Sequence, residues 1–76
     1  MSSLRQATAR DLVRVAVKLG FSFKRQKGSH AIYKRDTDQK RAVIPMHGSR
    51  SIKPGTLRSI LKDMDITPEE FLRLSE

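Results

Sequence analysis

Two helical stripes of apolar residues bracket the middle of this chain and limit what it can fold into. The stripes are Leu12, Val15, Ala16 and Leu19, and then Leu57, Ile60, Leu61 and Met64. Both follow the i, i+3, i+4, i+7 spacing of an amphipathic α-helix with one buried side. A chain of 76 residues has one small core, which both stripes must share. We therefore predict a single domain over residues 1–76.

The segment between the stripes has the pattern of three short strands joined by turns. The three runs are residues 21–26, His30–Arg35 and residues 41–46. A turn at Gly28 and a polar loop over residues 36–40 separate them. Because connections this short join antiparallel neighbours, we expect a three-stranded antiparallel meander. Alternation places His30 and Tyr33 on opposite faces of the sheet, but both faces carry apolar residues, so the identity of the buried face stays open.

Capping signals mark the helix ends. Thr8 and Asp11 form a capping box in which Asp takes the place of the usual Glu. Thr67 and Glu70 form a second capping box, which predicts a short helix over residues 68 to about 74. The predicted fold class is therefore α+β, in the order α-β-β-β-α, with a three-stranded antiparallel sheet and a short extra C-terminal helix.

Positive charge is concentrated in the body of the chain. The formal net charge is +8; residues 1–35 carry nine basic residues and one acidic residue, whereas residues 61–76 carry two basic and five acidic residues. Such a surface favours a polyanionic partner, with nucleic acid ahead of an acidic protein or an anionic membrane. An ordinary solvated surface is the alternative. Arg10, Arg14 and Lys18 form a basic ridge on the first helix, for which phosphate contact and a solvated face both stay open.

The sequence also excludes some kinds of site. It contains no cysteine, which excludes disulfides and thiolate zinc sites and fits a reducing compartment. Its apolar runs are too short for a membrane span or a secretory signal, so we expect a cytoplasmic protein with no membrane partner. His30 and His47 are the two histidines, and neither has a carboxylate close to it in sequence. We therefore expect no metal site and no cofactor.

The strongest chemical signal is a histidine that follows a Gly-Ser turn. Histidine suits proton transfer near neutral pH, because its ordinary pKa is about 6.5. The basic residues near His30 in sequence are Lys24, Arg25, Lys27, Lys34 and Arg35. We predict that they bind RNA phosphates while His30 moves a proton during cleavage. The simpler interpretation is that His30 is a polar residue at the start of a strand, with no chemistry.

RNA cleavage without a metal needs few protein groups, because RNA carries its own nucleophile, the 2′-hydroxyl. An enzyme has to remove that proton, stabilise the charge on phosphorus and protonate the 5′-oxygen. His47 is a candidate for catalytic support because it follows the third strand, and a role in shaping the turn before Gly48 is its alternative. Ser29 is a second candidate, either orienting the phosphate or only capping the turn.

Four motifs, in their order along the chain, resemble one known family. They are Gly20-Phe21, Gln26-Lys27-Gly28-Ser29-His30, Val43-Ile44-Pro45-Met46-His47 and Gly55-Thr56-Leu57-Arg58-Ser59-Ile60-Leu61. Together they resemble the HicA family of toxin mRNA interferases, the small toxins of HicA–HicB toxin–antitoxin systems. The resemblance extends over residues 8–71, nearly the whole chain.

The resemblance implies a fold like that of the double-stranded-RNA-binding domain. It also implies endoribonuclease activity that cleaves mRNA independently of the ribosome, with His30 catalytic, and a HicB-type antitoxin that covers the site. It assigns no role to His47. Because a fold does not fix a function, a non-catalytic RNA-binding module of the same fold is the alternative.

Overall fold

The first helix begins and ends with the interactions that its sequence predicts. The computed structural model describes residues 6–76, so the first five residues of the predicted domain lie outside the described part. Helix α1 spans Ala9–Lys18. The Thr8 N–H donates to the Asp11 carboxylate at 3.0 Å, and the Asp11 N–H donates to Thr8 Oγ1 at 3.4 Å, which confirms the capping box. Gly20 ends the helix in the left-handed region, with φ of 92°.

The three strands form one antiparallel sheet in the order β1-β2-β3. They are β1 (Ser22–Lys27), β2 (His30–Arg35) and β3 (Lys40–Pro45). The bounds of β2 agree with the prediction, and those of the other two strands are shifted by one residue. Pro45 is the last residue of an edge strand, where its missing N–H disrupts no internal ladder.

Pairing across β2 and β3 shows which face of the sheet is buried. Ala31 pairs with Ile44 and Tyr33 pairs with Ala42, and all four side chains are buried. Because directly opposite residues of antiparallel strands share a face, these residues define the core side of the sheet. His30 is therefore on the opposite side, which answers the question that alternation alone left open.

Two further helices complete the core, α2 (Pro54–Asp63) and α3 (Pro68–Leu74). The second predicted stripe is buried throughout, and Phe71 of α3 is fully buried with it. The order α-β-β-β-α-α and the antiparallel sheet confirm the predicted α+β fold, which is that of a double-stranded-RNA-binding domain with one added helix. Among the helices in residues 6–76, none is long and apolar enough to cross a bilayer.

The basic ridge of α1 holds the C-terminal end of the chain. Lys18 Nζ donates to the Leu74 carbonyl at 2.6 Å. Arg14 donates to the Ser75 carbonyl at 3.4 Å. Carbonyls at the end of a helix lack partners within the helix, and cations there also offset the negative end of its dipole. Two of the three ridge residues therefore attach α3 to α1, a role that the ridge pattern did not predict.

Arg35 joins the end of α1 to the β2–β3 loop. Its guanidinium donates to the Leu19 carbonyl at 2.8 Å and lies 4.7 Å from the centre of the Phe21 ring. It also donates twice to the Asp38 carboxylate, at 3.1 and 2.8 Å. These hydrogen bonds lower the pKa of Asp38 below its ordinary value of 3.8. Arg35 therefore connects three parts of the fold through one side chain.

The buried stripe of α2 gives a direct test of the core. Leu57 is 0 % exposed, so Leu57→Ala should lower the free energy of unfolding by about 2–5 kcal/mol. Leu72→Ala is the matched control, because Leu72 is only half-buried and should cost less. Urea unfolding followed by circular dichroism measures both. Equal losses in the two variants would contradict the assigned core.

The Arg35–Asp38 pair predicts a pH-dependent contribution to stability. Because the pKa of Asp38 is lowered in the folded state, its contribution is present above the ordinary value of 3.8 and is lost as the pH falls through the lower folded value. Asp38→Asn should be less stable than wild type at pH 7, and the difference should vanish in strong acid. Thermal melts across this range, with Thr37→Ala as the control from the same loop, measure it. A difference that does not change with pH would refute the prediction.

Candidate active site

A two-residue turn places His30 at the start of the central strand. Lys27 pairs with His30, and only Gly28 and Ser29 lie between them. Gly28 has φ of 59°, which suits the first turn position of a tight hairpin. The His30 side chain is exposed. It lies on the face of the sheet that points away from the core.

A β-bulge at Lys24 decides which basic residues share the face of His30. The register shifts between Phe23 and Arg25, so Phe23 lies opposite Tyr33 on the core side, whereas Arg25 lies opposite Ile32 on the other side. The residues on the side away from the core, here named the open face, are Ser22, Arg25, Lys27, His30, Ile32, Lys34, Arg41, Val43 and Pro45. The open face therefore combines His30, basic residues from all three strands and half-buried apolar side chains.

Three of the five predicted RNA-binding residues lie on the open face: Arg25, Lys27 and Lys34. The other two are placed differently. Lys24 is the bulge residue and forms an ion pair with Asp36 at 3.5 Å. Arg35 lies on the core side, bound to Asp38 as described above. The structure thus brings three of these basic side chains to the face of His30 and directs two to carboxylates of the β2–β3 loop.

Arg41 belongs to the open face, although the sequence analysis did not select it. It lies opposite Lys34, and its side chain is exposed. The strand register identifies it. Arg35 and Lys40 flank the β2–β3 loop and pair with each other, so the next pair along the strands is Lys34 with Arg41. The open face therefore gains a fourth cation next to one already predicted.

A groove beside the start of β2 contains both histidines. Its volume is about 440 Å³, within the range of roughly 300–1,000 Å³ typical of small-molecule sites. This groove, here named the histidine groove, is lined by His30, Pro45, His47, Arg50, Ser51, Ile52, Lys53 and Thr56. A second groove, of about 470 Å³, lies on the other side of His30 against α2. His30 therefore borders two adjoining concave surfaces.

Ser29 contributes to this site through its backbone. Its carbonyl accepts a hydrogen bond from the Met46 N–H at 2.6 Å, which extends the β2–β3 pairing one step beyond Pro45. Its side chain is exposed and is not among the lining residues of the histidine groove. This contact uses only the backbone of Ser29, so capping the turn and orienting the phosphate both stay predictions for its side chain.

The side chains around His30 suit proton transfer next to a bound anion. The histidine groove combines two imidazoles with the cations of Arg50 and Lys53, neither of which was selected from the sequence. Among residues 6–76, no group of three or more His, Cys, Asp or Glu side chains is placed to hold a metal ion. The chemistry available from these residues is acid–base catalysis with electrostatic stabilisation of negative charge.

Comparison with known families agrees with this architecture. The family model described as "HicA toxin of bacterial toxin-antitoxin" matches residues 9–66. No curated protein matches the chain at a significant level. The matched segment begins with α1 and includes all three strands, α2 and both histidines. Since it covers well over half of the 76 residues, the chain belongs to the HicA family of bacterial toxin–antitoxin toxins.

Proposed function

We propose that this HicA-family toxin is a metal-independent endoribonuclease, an mRNA interferase in which His30 is catalytic. The observation that carries the proposal is the position of His30. Its exposed imidazole stands at the end of a cationic sheet face and at the border of two grooves. A group that transfers protons must be reachable by substrate and close to charges that hold a phosphate. His30 meets both requirements.

The proposed reaction uses the RNA 2′-hydroxyl as the nucleophile. A base takes the proton of that hydroxyl, and the 2′-oxygen forms a new bond to phosphorus. The bond between phosphorus and the 5′-oxygen breaks, and the 5′-oxygen receives a proton. The products are a 2′,3′-cyclic phosphate and a 5′-hydroxyl end, so no water is consumed in this step and the RNA itself supplies the nucleophile. Cationic side chains stabilise the extra negative charge that develops on phosphorus.

Single-stranded mRNA is the substrate that fits the open face. Arg25, Lys27, Lys34 and Arg41 offer phosphate contacts, and the half-buried side chains of the open face offer apolar surface for unstacked bases. In-line attack also requires the 2′-oxygen, phosphorus and 5′-oxygen to align, which a flexible strand achieves by local rotation. Lys24 and Arg35 stay predicted RNA contacts. To bind RNA, each cation would have to contact a phosphate in addition to its carboxylate partner.

A HicB-type antitoxin is the proposed protein partner, and the cytoplasm is the proposed compartment. Membership in a toxin–antitoxin family implies an antitoxin. The net charge of +8 favours an acidic surface on that antitoxin, because complementary charge speeds association and fixes orientation. An antitoxin that covers the histidine groove would block access to His30 without altering the fold.

Replacing His30 tests the catalytic assignment. His30→Ala should lower the rate of RNA cleavage by about 10²- to 10⁴-fold, the usual contribution of a general acid or base. The assay is cleavage of a long single-stranded RNA with EDTA present, with detection of 2′,3′-cyclic phosphate ends. The control is Thr37→Ala, which lies in the loop at the other end of β2 and should cleave as wild type does.

Circular dichroism and RNA binding separate loss of chemistry from loss of fold or affinity. A His30→Ala variant that is folded and binds RNA but does not cleave it supports catalysis. Cleavage at the wild-type rate would refute the role of His30. If the wild type binds RNA in a salt-sensitive way and never cleaves it, the chain is instead a non-catalytic RNA-binding module, a function that the cations of the open face would serve equally well.

The open face predicts a position-specific loss of RNA affinity. In a His30→Ala background, Arg41→Gln should weaken RNA binding and reduce the slope of log K against log salt by about 0.7, as expected for one lost phosphate contact on a single strand. Arg73→Gln is matched in charge change but lies on α3, outside the open face. Binding titrations at several salt concentrations compare them. Equal effects of the two variants would show that only total charge matters.

A further inference from the structure

We propose that His47 is the second proton-transfer group and that the histidine groove holds the scissile phosphate between His47 and His30. The inference rests on the proposed ribonuclease function and deepens it. It assigns Arg50 and Lys53 to binding that phosphate. One imidazole takes the proton of the 2′-hydroxyl, and the other, protonated, gives a proton to the departing 5′-oxygen.

Both histidines lie at one end of the β2–β3 pairing and line the same groove. His30 pairs with Pro45, and the hydrogen bond from Met46 N–H to the Ser29 carbonyl carries the pairing one step further. Continued one position beyond the strands, this register would set His47 opposite Gly28 and diagonal to His30, and the two histidines do line the same groove. In a regular antiparallel pair, diagonal neighbours are about 7–8 Å apart. Two imidazoles that bond to different oxygens of one phosphate, each at about 2.7–3.2 Å, need a separation of several ångströms.

The turn before His30 is open at Gly28. A Cβ atom at Gly28 would meet nothing within 4 Å, so no other part of the described chain crowds this turn. Pro45 and Ile52 are both buried and form the apolar floor of the histidine groove. The other six lining residues are polar or charged, which suits a polar anionic ligand.

The loop after β3 places Arg50 and Lys53 at the same groove. The Arg50 N–H donates to the His47 carbonyl at 3.3 Å across a turn in which Gly48 has φ of 65°. The Ile52 N–H donates to the Ala7 carbonyl at 2.7 Å, which attaches the segment to the start of α1. Arg50 and Lys53 therefore extend from an attached segment beside both histidines.

The charges facing His47 favour a bound anion. Arg50 and Lys53 line the histidine groove with it, and within the described residues no carboxylate lines this groove. Asp63 belongs to the adjoining groove against α2. Arginine and lysine remain protonated near neutral pH, so they hold and stabilise the phosphate but are poor proton donors there. Histidine is the side chain in this groove that can exchange a proton at that pH.

A substrate with a better leaving group identifies a general acid. We would compare a short RNA that contains one ordinary linkage with the same RNA in which sulfur replaces the bridging 5′-oxygen at that linkage, because a thiolate leaves without prior protonation. On the ordinary RNA, His47→Ala should cleave about 10²- to 10⁴-fold more slowly than wild type. On the sulfur RNA, one of His47→Ala and His30→Ala should recover activity and the other should not.

Two control variants test whether the difference between the ordinary and the sulfur RNA is specific to the histidines. Ser49→Ala lies in the same turn, but Ser49 lines a separate cavity against the start of α1, so the variant should cleave both substrates as wild type does. Lys53→Gln should slow both substrates alike, since the phosphate has to be held whichever group leaves. Binding to an RNA with a 2′-methoxy group at the cleavage site, which cannot react, measures affinity in every variant.

The outcomes separate this inference from the function on which it rests. A wild-type protein that does not cleave the ordinary RNA would refute the ribonuclease function and this inference with it. If wild type cleaves and His30→Ala does not, but His47→Ala cleaves normally, the ribonuclease stands and the role of His47 is wrong. The role of His47 is also wrong if the loss of cleavage rate in His47→Ala equals its loss of RNA affinity. It is wrong as well if neither His30→Ala nor His47→Ala recovers activity on the sulfur RNA.

Discussion

The pairing register of β2 is the constraint on which both the core and the candidate active site depend. Because side chains alternate along a strand, a slip of one residue would move Ala31 and Tyr33 out of the core and move His30 into it. Their burial opposite Ile44 and Ala42 fixes the register from the core side. The two-residue turn fixes it from the end of the strand. Because Ala31 packs into the core, the side chain of the preceding residue, His30, points to the opposite face and is exposed.

The β-bulge at Lys24 lets one short strand serve both faces of the sheet. Before the bulge, Phe23 lies on the same side of the sheet as Tyr33; it is 53 % exposed, and the two rings meet edge to face with centres 5.7 Å apart. After it, Arg25 and Lys27 point to the open face. A regular strand that kept Arg25 on the open face would place Phe23 there as well, since side chains two residues apart share a face. The extra residue separates an aromatic contact from the cationic surface.

Local sequence signals predicted the fold more completely than the site. Capping boxes, apolar stripes and the Gly28 turn are encoded within a few residues of one another, and they gave elements within about one residue of those observed. The bulge at Lys24 has no such local signature, because it depends on which partner Phe23 finds across the sheet. Lys18 likewise finds its carbonyl partner 56 positions away. His30 was identified by residue type, but its grouping with Arg41, Arg50 and Lys53 requires the register and the path of the loop after β3.

The distribution of cations follows from how the fold uses them. Arg14, Lys18, Lys24 and Arg35 are bound within the molecule, to backbone carbonyls or to carboxylates. Among residues 6–76, the cations of the open face and of the histidine groove form no ion pair. The cations of these two surfaces are therefore not neutralised by the fold, and they favour the approach of a polyanion to that side. Under the proposed function, RNA and an acidic antitoxin are attracted by the same charges, so the antitoxin inhibits by competing with RNA for them.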